Sequence, residues 1–143
     1  MNMFKGFLIV AVLGLFIGMA ASVEAAAPLS PEELVQAKKA ELMGTGYQVK
    51  YELVEGSGKL ATDVVSFENN KVTFEELAAL GYGPSNFTVH VEVDGTVTFD
   101  SMQVADDGSK AFLHGELYDG LMSGRLTLED KKEIITKYSF KSL

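Results

Sequence analysis

Residues 87–99, FTVHVEVDGTVTF, restrict what this chain can fold into more than any other stretch. Apolar and polar side chains alternate on both sides of Asp94-Gly95, the period of a strand with one face buried, and the turn decides how the two faces line up. A two-residue type I′ loop would set Val93 opposite Thr96 and place valines across from threonines, mixing the faces. A three-residue loop, Val93-Asp94-Gly95 with the glycine in the left-handed conformation, pairs Val91 with Val97 and Val89 with Phe99 instead. It sends His90, Glu92, Thr96 and Thr98 to the opposite side. Only this register keeps one apolar face whole, so it is the predicted one.

The same parity test runs through the neighbouring hairpins. An Asn69-Asn70 type I′ turn pairs Glu68 with Lys71, Phe67 with Val72 and Val65 with Phe74. A three-residue loop at Asp106-Asp107-Gly108 pairs Phe99 with Gly115 and Val97 with Leu117, and an Asp119-Gly120 turn pairs Leu117 with Met122 and Gly115 with Gly124. A loop at Asp130 to Lys132 pairs Leu128 with Ile134, and Gly124 with Tyr138. The rows then read Val91, Val97, Leu117, Met122, Phe140 and Val89, Phe99, Gly115, Gly124, Tyr138, two aromatics flanking two glycines. Glycines there relieve crowding and let a sheet coil.

Tyr47 to Leu53 adds an alternating strand, and the total is about eight antiparallel strands in up-and-down order. A meander of that many short strands closes so that its edges pair, which predicts an all-β fold, a small barrel, with a two-sheet sandwich as the alternative. Glu75 to Leu80 reads as a short helical turn stopped by Gly81, crossing one end of the sheet. Ser30-Pro31-Glu32-Glu33 combines an N-cap serine, proline at the first helical position and a capping-box glutamate, so a helix runs over about 31–43 until Gly44 and Gly46 end it.

Residues 1–25 read as a cleavable signal peptide: Lys5 heads an apolar run to Ala21, and Ser22 to Ala27 is small and alanine-rich, with cleavage expected after Ala25 or Ala26. Residues 26–46 form the helix-bearing segment and 47–143 one barrel domain, with periplasmic or extracellular location and no stable membrane insertion after cleavage. Among 143 residues there is no cysteine, so hydrophobic burial rather than disulfides must hold an exported domain together. The signal would take Lys5 and Glu24 with it, one charge of each sign, and the net charge stays at −8. Such an acidic chain is a poor nucleic-acid binder.

Catalytic signatures are scarce: there is no His-Glu-x-x-His, no phosphate-cradling glycine loop and no Gly-x-Ser-x-Gly elbow. Two histidines, His90 and His114, are too few for a multi-histidine metal centre, and neither metal nor cofactor is expected. On the outer face the registers line up Thr88, Asp100, His114, Arg125 and Lys137, with His90, Thr98, Glu116 and Ser123 in the next row. Asp100, His114, Glu116 and Arg125 thus form a polar surface cluster, where Asp100 beside His114 is the one arrangement suited to acid–base work. Ordinary cross-strand charge pairing accounts for the same cluster. Met102 opposite Phe112 makes an apolar outer patch, for a protein partner or for the N-terminal helix. Inside, Tyr47, Tyr51, Phe67, Phe99 and Tyr138 either fill a core or line a cavity in which tyrosine hydroxyls orient an apolar ligand.

The run from Asp63 to Leu128, with its TFENGK-like hairpin (here SFENNK), its SNFT strand start and the hairpin Gly115 to Leu126, resembles a group of small exported bacterial all-β proteins of uncharacterised function. The resemblance implies an exported β fold and brings no active site. Lipocalins and avidins are similar only in the proposed architecture. The expected function is a noncatalytic exported β-barrel binding a small apolar molecule, the alternative a protein-binding or inhibitor module, and the third reading an enzyme working through Asp100 and His114.

Overall fold

The computed structural model describes residues 25–143. The signal-peptide reading, apart from its last residue, lies outside them. The helix α1 spans Pro31–Leu42, with Ser30 Oγ accepting the Glu33 amide and the Glu33 carboxylate accepting the Ser30 amide at 2.8 Å, the predicted capping box. Eight strands follow: β1 (Gly46–Glu55), β2 (Thr62–Glu68), β3 (Lys71–Phe74), β4 (Ser85–Val91), β5 (Val97–Val104), β6 (Lys110–Tyr118), β7 (Leu121–Glu129) and β8 (Ile135–Ser142), with the short helix α2 (Glu75–Ala79) between β3 and β4.

Each strand pairs antiparallel with the next and β8 returns to β1, so the sheet is a closed up-and-down barrel rather than a sandwich. Closure sets Val49 opposite Ser142, Tyr51 opposite Phe140 and Leu53 opposite Tyr138, with a bulge between Leu53 and Glu55. Closing removes the two sheet edges that an eight-strand meander would otherwise expose.

The turns adopt the chemistry their residues allow. Asn69 and Asn70 both have positive φ, 52° and 60°, as type I′ demands, and Asp119 and Gly120 repeat it at 49° and 75°. At 93–95 the loop is the three-residue form: Gly95 has φ 88°, its amide bonds the Glu92 carbonyl at 3.0 Å, and Val91 faces Val97. Gly108 does the same after Asp106-Asp107. In both loops the aspartate before the glycine, Asp94 or Asp107, accepts the amide two residues on, which holds its carboxyl below the usual range.

One expected register is corrected. β7 and β8 pair Leu128 with Thr136, Leu126 with Tyr138 and Gly124 with Phe140, two residues on from the predicted partners. Asp130 Oδ1 accepts the amides of both Lys132 and Ile134, Glu133 takes φ 61°, and the loop therefore holds Asp130 to Ile134 rather than three residues. A slip of two keeps every side chain on its predicted face. The glycine row thus ends on Phe140 instead of Tyr138: a Cβ at Gly115 would overlap the Phe99 ring, and one at Gly124 the Phe140 ring and the His114 carbonyl. The outer row ends on Ser139, not Lys137, which faces Thr127.

The two barrel ends are closed differently. At the end carrying the 69–70, 93–95 and 119–120 turns, α1 lies beside β4: Leu42 is buried, the Lys39 ammonium sits 4.8 Å from the Phe87 ring centre, and the Gly44 amide bonds the Phe67 carbonyl. At the other end α2 drops Leu77 fully into the core. β3 and β4 share only the pairs Lys71–Asn86 and Val72–Ser85, and Gln103 Nε2 bridges from β5 to the Val72 carbonyl at 3.3 Å.

Candidate functional site

All five aromatics expected inside belong to the inward rows, and they pack ring against ring. Phe67 meets Tyr47 edge-on at 6.4 Å and Phe99 at 5.2 Å between centroids, and Tyr51 meets Tyr138 at 5.6 Å. Phe67 and Phe99 are fully buried, Tyr51 and Tyr138 nearly so, and Tyr47 half-buried at the α1 end. Edge-to-face contacts at these separations occupy the space between the rings.

Tyr51 ends in a buried polar knot. Its hydroxyl donates to Asp63 Oδ2 at 2.9 Å, while Asp63 Oδ1 accepts the amides of Val64 at 2.7 Å and Glu76 at 2.9 Å. Phe74 occupies the N-cap of α2 and has no side-chain acceptor to offer, so Asp63 from β2 supplies it across the barrel wall. Burial first, then the Asp63 charge, pushes the Tyr51 phenol far above its ordinary range, and it stays a donor.

The same barrel end holds a groove of about 340 Å³ between α2 and the β1–β2 loop, lined among others by Gly58, Leu60, Ala79, Leu80, Leu128 and Tyr138. Its two walls are held independently. The loop is tied to β8 by Thr136 Oγ1 donating to the Ser57 carbonyl at 3.3 Å and by Lys137 to Glu55 at 2.6 Å; α2 is tied by Asp63. Gly58 passes so close to the Tyr138 hydroxyl that any side chain there would overlap it. Tyr138 is the one predicted ligand residue that reaches this groove. Gly58, Leu60, Leu80 and Leu128 were not among the predicted site residues, and the 58 % exposure of Leu80 that marks the groove emerges only in the folded chain.

On the outer wall the structure brings together three of the four polar-cluster residues. His114 Nδ1 lies 2.7 Å from Asp100 Oδ1 and its Nε2 3.7 Å from Glu116 Oε1. The carboxylates therefore engage opposite sides of the ring, and among the described residues no three such groups converge as a metal set. Arg125 stands opposite His114 across β6 and β7, and among the described residues it pairs with neither Asp100 nor Glu116. His114 and Asp100 are 44 % and 62 % exposed, so water competes for any proton they would move. Met102 and Phe112 face each other across β5 and β6, both exposed, beside a depression of about 710 Å³ that also takes in Lys71, Asn86, Thr88 and Asp100.

Comparison of the chain with protein-family models, curated proteins and solved structures finds no match. The assignment of a role therefore rests on this geometry. Of the three regions, the groove at the barrel mouth is the one in which apolar side chains, Leu60, Ala79, Leu80 and Leu128, surround a buried hydroxyl-bearing side chain, Tyr138, with Lys59 and Glu76 also on its lining.

Proposed function

We propose that this chain is a noncatalytic exported β-barrel that binds a small apolar molecule at the barrel mouth, between the 57–60 loop and α2. The observation that carries the reading is the groove lined by Leu60, Ala79, Leu80 and Leu128, with Tyr138 at its inner side. Its volume suits a compact ligand. The packed interior favours this mouth over the barrel axis, since a molecule on the axis would have to part the Phe67–Phe99 and Tyr51–Tyr138 contacts. Export is supported by the n-region, apolar run and small-residue tail of residues 1–25.

Native mass spectrometry of protein purified from its own host tests the reading: a retained small molecule is expected, and Leu80→Glu should lose it while keeping the melting temperature. An apolar ligand retained equally by Leu80→Glu would refute the mouth as its site. The exposed Met102–Phe112 pair favours a second reading, a docking face for a protein partner. Loss of a defined complex on Phe112→Ser, with unchanged folding, would support it.

A further inference from the structure

The outer wall over Gly124 carries a charge arrangement that the barrel does not need. Outward neighbours across β7, β8 and β1 run Arg125, Ser139, Glu52 in one row and Ser123, Lys141, Lys50 in the next. Lys50 and Lys141 stand directly opposite each other, a like-charge pair that weakens a sheet, in a chain whose net charge is −8.

These cations rim a dent of about 320 Å³ on the outer face over Gly124. Lys50, Arg125, Lys141 and His114 line it, with Glu52 and Glu116 the facing carboxylates. Both carboxylates are already engaged: Glu52 Oε1 lies 3.8 Å from Lys141 Nζ, and Glu116 lies against His114 Nε2. Asp100, beyond the dent, holds the other ring nitrogen. Among the described residues, Lys50 and Arg125 make no ion pair and no side-chain hydrogen bond.

We propose that this dent binds the phosphoryl group of a small phosphorylated molecule. Lys50, Arg125 and Lys141 against Glu52 and Glu116 leave one net positive charge on the lining, and the two cations without an ion pair, Lys50 and Arg125, are the ones free to face an anionic phosphoryl group. Arg125 offers the planar donor fork suited to two phosphate oxygens, and Lys50 and Lys141 act as point charges on the opposite side. The bound anion also removes the Lys50–Lys141 repulsion, so the cost carried by the free barrel is recovered on binding. The dent shares no lining residue with the apolar mouth, and the two sites stand or fall separately.

The test is an amide-shift titration of the full domain with sodium phosphate at low ionic strength, against sodium chloride matched for ionic strength. Saturable shifts confined to residues 50–52, 123–125 and 139–141 are expected with phosphate and not with chloride. Arg125→Gln should weaken binding about tenfold or more, the usual cost of losing a charged hydrogen-bond donor. Lys50→Gln should weaken binding while slightly raising the melting temperature, a combination that a purely structural lysine would not produce. A parallel arm with phosphatidylglycerol vesicles separates a lipid headgroup from a soluble phosphoester: Arg125-dependent cosedimentation assigns the phosphoryl group to lipid, and its absence alongside phosphate shifts assigns it to a soluble molecule. Shifts identical in phosphate and chloride, or unchanged in Arg125→Gln, overturn the proposal.

Discussion

Replacing Gly115 by alanine tests the aromatic–glycine row directly. The three atoms nearest a Cβ at this position all belong to the Phe99 ring, and that ring is fully buried, wedged edge-on between Phe67 at 5.2 Å and Phe87 at 6.4 Å. Alanine in a strand is by itself favourable by about 0.5–1 kcal/mol, but overpacking a closed core costs roughly 1–3 kcal/mol, so a net loss of about 1–2 kcal/mol is expected. Phe99→Leu alone should lose about 1–3 kcal/mol by opening a cavity. In the double variant the new methyl enters that cavity, and the combined loss should fall short of the sum by about 1–2 kcal/mol. Urea denaturation of all four proteins, with slopes held equal, measures the coupling. Gly124→Ala is the control: its nearest obstacle is the His114 carbonyl, which is backbone, so Phe140→Leu should rescue it far less. Additivity at Gly115 and Phe99 within about 0.5 kcal/mol would refute the packing account.

Three further outcomes follow from single contacts. The unfolded chain releases the Tyr51 proton near the ordinary phenol value while the folded barrel retains it, so stability should fall as pH rises above about 10, by roughly 1.4 kcal/mol per pH unit. Tyr51→Phe should flatten that slope by about one proton's worth in urea midpoints taken through the alkaline range. Asp63→Ala leaves the Tyr51 hydroxyl and the Glu76 amide without their acceptor and should cost about 2–4 kcal/mol by the same denaturation assay. Glu133 holds φ 61°, strained for a side-chain-bearing residue, so Glu133→Gly should gain about 0.5–1 kcal/mol, read as a higher melting temperature.

What was legible in the sequence tracks how local its determinant is. The hairpins at 69–70, 93–95, 106–108 and 119–120 each hold two or three residues whose permitted φ values leave few turn types, and parity of the flanking strands selects one register among them. The β7–β8 register was misjudged because Asp130 uses its side chain to hold two amides, a longer loop that parity cannot distinguish from the shorter one. The β1–β8 closure and the short β3–β4 seam join segments with no connecting turn to read, so only the number of strands announced the closure. The site was legible to the same degree. Inward rows were visible, but that Tyr138 reaches a groove depends on where the 57–60 loop and α2 settle, and neither is encoded by alternation.

Asp63 joins the two halves of that answer. It is a β2 residue by sequence, yet its two oxygens serve the barrel interior and the mouth separately: Oδ2 fixes Tyr51, whose ring lies against Tyr138, and Oδ1 fixes the first turn of α2, which carries Ala79 and Leu80. One carboxylate therefore sets both the inner side of the groove, through Tyr51 and Tyr138, and its outer wall, through α2. On this geometry Asp63→Asn, which keeps one acceptor oxygen for the amides or for the phenol but not for both with full charge, should weaken binding of an apolar ligand at the mouth more than its modest loss of stability explains. Ligand retention that merely follows the fraction of folded protein across Asp63→Asn and Tyr51→Phe would show that the knot supports the fold alone and has no part in shaping the groove.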